Sequence, residues 1–152
     1  MSDHIITDDQ VKEITDLLPE GCDPVVEILK KILLTKGKPE TIGEIPEKMR
    51  RENWFYYTKA RSESPEVIIP NTRNLISNLL NGIKLTGDTS RLKDIAESIR
   101  DTQNAWYLFK EESNWGEATS LCWKVLDRIG DMMQDPKWAV ISNDSFVLPS
   151  KK

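Results

Sequence analysis

The sequence predicts an all-α protein, a helical bundle of about five to six helices with a short extended C-terminal tail. Apolar residues recur every three or four positions through most of the 152 residues, the period of a one-sided helix. Residues that start and stop helices bracket these stretches. Hydrophobic content of 38% with 30% charged residues fits a folded globular chain, large enough to bury a core as one domain.

Thr7 and Gln10 have capping-box spacing, and Val11, Ile14, Leu17 and Leu18 then share a face up to Pro19. Asp23-Pro24 pairs an N-cap with proline at the first helical position and opens Val25 to Leu34, which Gly37 closes. Pro46 starts a third helix that runs to about Arg61. A β-branched stretch, Val67-Ile68-Ile69, leads into Pro70, and a fourth helix opens behind Asn71-Thr72 with Leu75, Ile76, Leu79, Leu80 and Ile83 as its stripe. Gly87 ends it. Asp88 or Thr89 is placed to cap a fifth helix, whose repeat is Leu92, Ile95, Ile99, Thr102, Trp106 and Phe109. Ser113 or Asn114 is placed to cap a sixth, lined by Ala118, Leu121, Cys122, Val125, Leu126, Ile129, Met132 and Met133 and broken at Asp135-Pro136. The expected organisation is an acidic helical hairpin over 1–36, a Gly/Pro linker over 37–46, a bundle over 47–135 and a tail over 136–152, packed as one domain.

No apolar segment is long enough to span a bilayer, so no membrane partner is expected. The acidic beginning, Met-Ser-Asp-His, lacks the basic and apolar regions of a signal peptide. Cys22 and Cys122 form no paired motif and read as free thiols in a reducing compartment, which implies a cytoplasmic location. Charge is segregated. Residues 1–47 carry eleven acidic and five basic side chains, a net of −6. Residues 48–110 carry seven acidic and eleven basic, a net of +4, and residues 111–152 seven and five, a net of −2. A basic middle between acidic ends matters more to partners than the total of −4, because potentials act over about 10 Å at moderate salt.

Catalysis finds little support. His4 is the sole histidine, too little for a Ser-His-Asp or Cys-His arrangement. Three Cys and His residues in total fall short of a zinc site. Loss of Met1 would leave Ser2-Asp3-His4 able to chelate copper or nickel, a pattern that arises often by chance. Asp94, Glu97 and Asp101 share a helical face but alternate with Arg91, Lys93 and Arg100, which reads as a solvated, salt-bridged surface. The expectation is a non-enzyme without cofactor or metal.

Binding finds more. From Met49 to Arg61 four consecutive aromatics, Trp54, Phe55, Tyr56 and Tyr57, are flanked by Arg50, Arg51, Lys59 and Arg61. Rings stack bases while cations follow phosphates, the combination used to hold single strands. The same run also suits a domain core. Successive residues advance about 100°, so the four rings cannot all face inward. Arg73 at the expected start of the fourth helix, with backbone amides beside it, and Arg91, Lys93 and Arg100 on the fifth extend the candidate set. Trp106, Trp115, Trp123 and Trp138 read as core or interface.

Tyr57-Thr58-Lys59-Ala60, then Pro70-Asn71-Thr72-Arg73-Asn74-Leu75-Ile76, then Leu92-Lys93-Asp94-Ile95 resemble the small subunit of type III CRISPR effector complexes, over roughly Trp54 to Met133. The resemblance implies a non-catalytic helical subunit, present in several copies beside other protein subunits and an RNA-containing filament. It also implies that Arg73, Lys59 and Arg61 contact the target strand. Two other classes stay open: a small acidic interaction module (an immunity, inhibitor or adaptor protein) using the N-terminal hairpin, and an enzyme with a carboxylate-bound cation.

Overall fold

The computed structural model describes residues 7–18, 24–34 and 43–141. Six helices lie within them: α1 (Asp8–Thr15), α2 (Pro24–Leu34), α3 (Glu47–Ala60), α4 (Pro65–Thr86), α5 (Leu92–Lys110) and α6 (Trp115–Met133). No strand occurs among the described residues, and the fold is an all-α bundle. The chelating tripeptide, the Asp23 cap, Cys22, most of the linker and the tail beyond Ile141 lie outside them.

Local signals are honoured where they are local. Thr7 Oγ1 accepts from the Gln10 amide at 3.2 Å while Gln10 Oε1 accepts from the Thr7 amide at 3.0 Å, the complete capping box. Pro46 precedes α3, and Asn114 Oδ1 accepts from the Glu117 amide at the head of α6. Gly87 ends α4 at φ 76°, left-handed backbone that glycine adopts without a Cβ penalty.

α4 corrects the expectation. Ser64 caps it, Pro65 takes its first position, and Val67-Ile68-Ile69 form its opening turns with Pro70 inside the helix. An interior proline costs about 3 kcal/mol. Ile68 and Ile69 are fully buried, and burying two such side chains returns about 3–6 kcal/mol. Asn71 Nδ2 also donates to the Val67 carbonyl at 2.9 Å, supporting the turn around the proline. Arg73 therefore lies two turns into a helix, and no free helix start adjoins it.

α4 occupies the middle, against α2, α3, α5 and α6, and α5 pairs with α6. The described parts of the acidic hairpin lie on this bundle, α1 against α5 and α2 against α4. Val25, Val26, Leu29, Ile32 and Leu33 of α2 join one core with Leu75, Ile76, Leu79 and Leu80 of α4, Ile95 and Ile99 of α5, and Val125, Leu126 and Ile129 of α6. No described helix is long and apolar enough to cross a membrane.

Beyond α6 the chain returns over α3. Trp138 and Ala139 are buried, Asn53 Nδ2 donates to the Trp138 carbonyl at 2.6 Å, and the Val140 amide donates to the Arg50 carbonyl at 3.2 Å. Asp88, placed by the sequence as a cap of α5, instead joins this strap: it accepts from the Ser90 amide and hydroxyl and pairs with Lys137. Burial raises the pKa of the Asp88 carboxyl, but hydrogen bonds from Lys137 and Ser90 outweigh that and hold it at about 2.

Candidate nucleic-acid interface

The first aromatic run is mostly internal. Tyr57 is buried, and Trp54 and Tyr56 pack against the core as partly buried side chains. The Trp54 and Tyr57 rings lie 5.5 Å apart, within the range of an attractive aromatic pair. Tyr57 reaches α6 at Gly130, where a Cβ would stand 2.5 Å from its hydroxyl. Glycine is what lets the ring approach.

The flanking cations are employed within the fold. Arg50 donates from Nε to the Ile45 carbonyl at 3.2 Å and from Nη1 to the Pro136 carbonyl at 3.1 Å, fastening the strap. Arg51 forks onto Glu47 at 3.1 and 2.7 Å, and the guanidinium draws the Glu47 pKa down. Arg61 lies over its own aromatics, 5.7 Å from the Tyr57 ring and 5.8 Å from that of Trp123 on α6. Lys59 is half-buried.

On α5, Arg91 bonds Asp94 at 3.0 Å and Asp131 of α6 at 3.1 Å. Lys93 reaches Glu13 of α1 at 2.8 Å, which raises the lysine's pKa. Arg100 bonds Asp101 at 3.1 Å. The expected solvated carboxylate face is therefore partly internal: Asp101 is buried beneath Arg128, which bonds it at 3.1 Å. Among the described residues no group of His, Cys, Asp and Glu could hold a metal ion. Burial alone pushes the Cys122 thiol up to about 11, leaving it protonated and poorly nucleophilic at neutral pH.

Arg73 is different. With Ile69, Pro70 and Asn74 of α4 and Trp106 of α5 it lines a groove of about 370 Å³ that contains no carboxylate. Thr72 and Thr102, beside this seam on α4 and α5, are buried with hydroxyls that have no hydrogen-bond partner among the described residues. From the groove a line of rings continues outward. Trp106 lies 5.9 Å from Phe109, and Phe109 lies 5.3 Å from Trp115. Trp106 is 38% exposed, Tyr107 54% and Trp115 58%. Lys110 holds its ammonium 5.3 Å from the Trp106 centroid and 5.8 Å from that of Phe109.

Aromatic faces beside cations thus reach the surface at the α4–α5–α6 corner, far along the chain from the run that first suggests them. Sequence reasoning places Trp106 in the apolar repeat of α5 and misses Tyr107 and Lys110. A signal was available: Trp106-Tyr107-Leu108-Phe109 also turns through most of a helical circuit, so part of it must face outward.

Comparison of the chain with protein families, with curated proteins and with solved structures returns no match.

Proposed function

We propose that this chain is a non-catalytic cytoplasmic subunit that binds single-stranded nucleic acid within a ribonucleoprotein assembly, as its resemblance to the small subunit of type III CRISPR effector complexes implies. The observation that carries this reading is the ring line of exposed Trp106, half-buried Phe109 and exposed Trp115, which begins in a groove with Arg73 and is accompanied by Lys110. Stacking of a base on such a ring contributes about 1–3 kcal/mol and tolerates any sequence. Arg73 and Lys110 supply the phosphate contacts that make such binding salt-dependent. Of the remaining basic residues, Arg51, Arg91, Lys93 and Arg100 are committed to carboxylates. They contribute less than a count of charges suggests.

The test is to express the tagged chain in its own host and identify what copurifies. The expected result is nucleic acid together with other protein subunits, with the nucleic acid lost from Arg73→Glu and Trp106→Ala variants that still fold. A single protein partner without nucleic acid would overturn the reading.

That outcome would favour a second reading, a small acidic protein-interaction module. Its own observation is that Trp115 is exposed among the exposed carboxylates Glu111, Glu112 and Glu117, a surface that repels phosphate and suits a basic partner.

A further inference from the structure

The line of rings changes charge along its length. At Trp106 the accompanying side chain is Lys110, 5.3 Å from the ring centroid. At Trp115 it is a set of carboxylates. Glu111 and Glu112 precede Trp115 and Glu117 follows it, all exposed, and none of the three forms an ion pair among the described residues. They stand on a fixed frame. The Glu111 and Glu112 amides both donate to the Tyr107 carbonyl, at 2.8 and 3.3 Å, and the Asn114 amide donates to the Leu108 carbonyl at 2.8 Å. Asn114 Nδ2 holds the Glu117 carboxylate at 3.1 Å. We propose that this α5–α6 corner docks an arginine-bearing segment of a partner protein, its guanidinium stacked on Trp115 and bonded to Glu111 or Glu112; the docking goes beyond the nucleic-acid reading and leaves the strand the Trp106 end of the line.

The fold itself shows what such rings take. Arg61 lies 5.7 Å from the Tyr57 centroid and 5.8 Å from that of Trp123, and Lys110 spans Trp106 and Phe109 in the same way. Phe109 and Trp115 make a third close pair, at 5.3 Å. Trp115 is 58% exposed, and among the described residues no cation lies over it. A ring face attracts cations, that of tryptophan most strongly. Three carboxylates beside the ring add to the attraction and repel phosphate, so the complementary partner is a basic protein segment. Arginine fits better than lysine. Its guanidinium is planar and weakly hydrated, stacks on an aromatic face and forks onto a carboxylate. Tyr107, 54% exposed and one turn before Glu111, offers apolar area for the stems of the neighbouring side chains.

The experiment uses the full chain, labelled with nitrogen-15 at its five tryptophan indoles. The probes are a nine-residue Gly/Ser peptide that carries three arginines, and its lysine and citrulline counterparts. Two-dimensional NMR reads the indole N–H signals, with Trp115→Phe and Trp106→Phe assigning two of them. The expected result is a saturable shift of the Trp115 signal by the arginine peptide, a weaker response to the lysine peptide and none to the citrulline one. The signal of buried Trp138 stays in place. Glu111→Gln with Glu112→Gln weakens the arginine peptide about fivefold, the loss of two exposed ion pairs. Glu27→Gln with Glu44→Gln removes the same charge from exposed positions elsewhere and leaves the binding unchanged. Circular dichroism confirms that the variants fold. An unmoved Trp115 signal, equal shifts from all three peptides, or binding indifferent to the Glu111 and Glu112 changes overturns the docking. A parallel titration with oligo-uridine keeps the two readings apart. A strand that shifts Trp106 while the peptide fails leaves the proposed function standing, and a strand that shifts nothing while the peptide binds overturns that function alone. A strand that shifts Trp115 ahead of Trp106 gives this corner to nucleic acid and overturns the docking.

Discussion

Trp54–Tyr57 on α3 and Trp106–Phe109 on α5 are runs of the same kind: four large apolar or aromatic residues in a row, each turning through most of a helical circuit. The first lies on a helix that packs against α4 and α6 and is crossed by the strap, so Tyr57 is buried and its neighbours are partly covered. The second keeps Ala105 inside and turns Trp106 and Tyr107 to solvent. The rings themselves do not decide between core and contact surface. The number of elements laid over them does.

The largest effect that separates the two runs is on stability. Tyr57→Ala is expected to cost about 3–5 kcal/mol, whereas Trp106→Ala and Trp115→Ala should stay within about 0.5 kcal/mol. Urea denaturation of the three variants measures this directly. Equal losses would mean the second run is as structural as the first.

A smaller effect sharpens the contact that buries the first run. Gly130→Ala brings a methyl group against the Tyr57 hydroxyl. Overpacking of this kind costs about 1–3 kcal/mol, against a gain of about 1 kcal/mol from better helix propensity. Adding Tyr57→Phe should recover most of the loss, and a double-mutant cycle on thermal melts reads the coupling. Independent, additive effects would show that the ring approaches α6 elsewhere.

The smallest effect tests the strap that crosses α3 at Arg50 and Asn53. Because the folded Asp88 pKa is lowered from 3.8 to about 2, its ionised form stabilises the fold above about pH 4, and that stability disappears as pH falls from about 4 toward 2. Lys137→Met should lower neutral-pH stability by about 1 kcal/mol, the half-exposed lysine being partly screened. It should also flatten the acid limb over that window. Unchanged acid unfolding would remove Lys137 from the account.

What the sequence made legible was local. The Thr7–Gln10 box, the start of α3 behind Pro46, the Asn114 cap and the apolar stripes of α4 and α6 each depend on residues within a turn or two. What it concealed was distant. Pro70 is accommodated because Ile68 and Ile69 find a core, and the partners of Lys93 and Arg91 come from residues 80 and 40 positions away. The candidate site shows both sides. Arg73 can be singled out from its neighbours in sequence, but for a helix start that does not exist there. Its groove appears only when α5 brings Trp106 alongside.

The bond between Asn53 and Trp138 joins residues 85 positions apart, and this orders events during synthesis. Chains emerge from the ribosome N-terminal end first, at about 5–20 residues per second. α3 is therefore outside for several seconds before the residue that covers it has been made. Over that interval the Arg50–Asn53 side of α3 is open to chaperones and to neighbouring nascent chains. A chain stalled ahead of residue 138 would lack the residue that meets Asn53 and would leave that side of α3 without its cover.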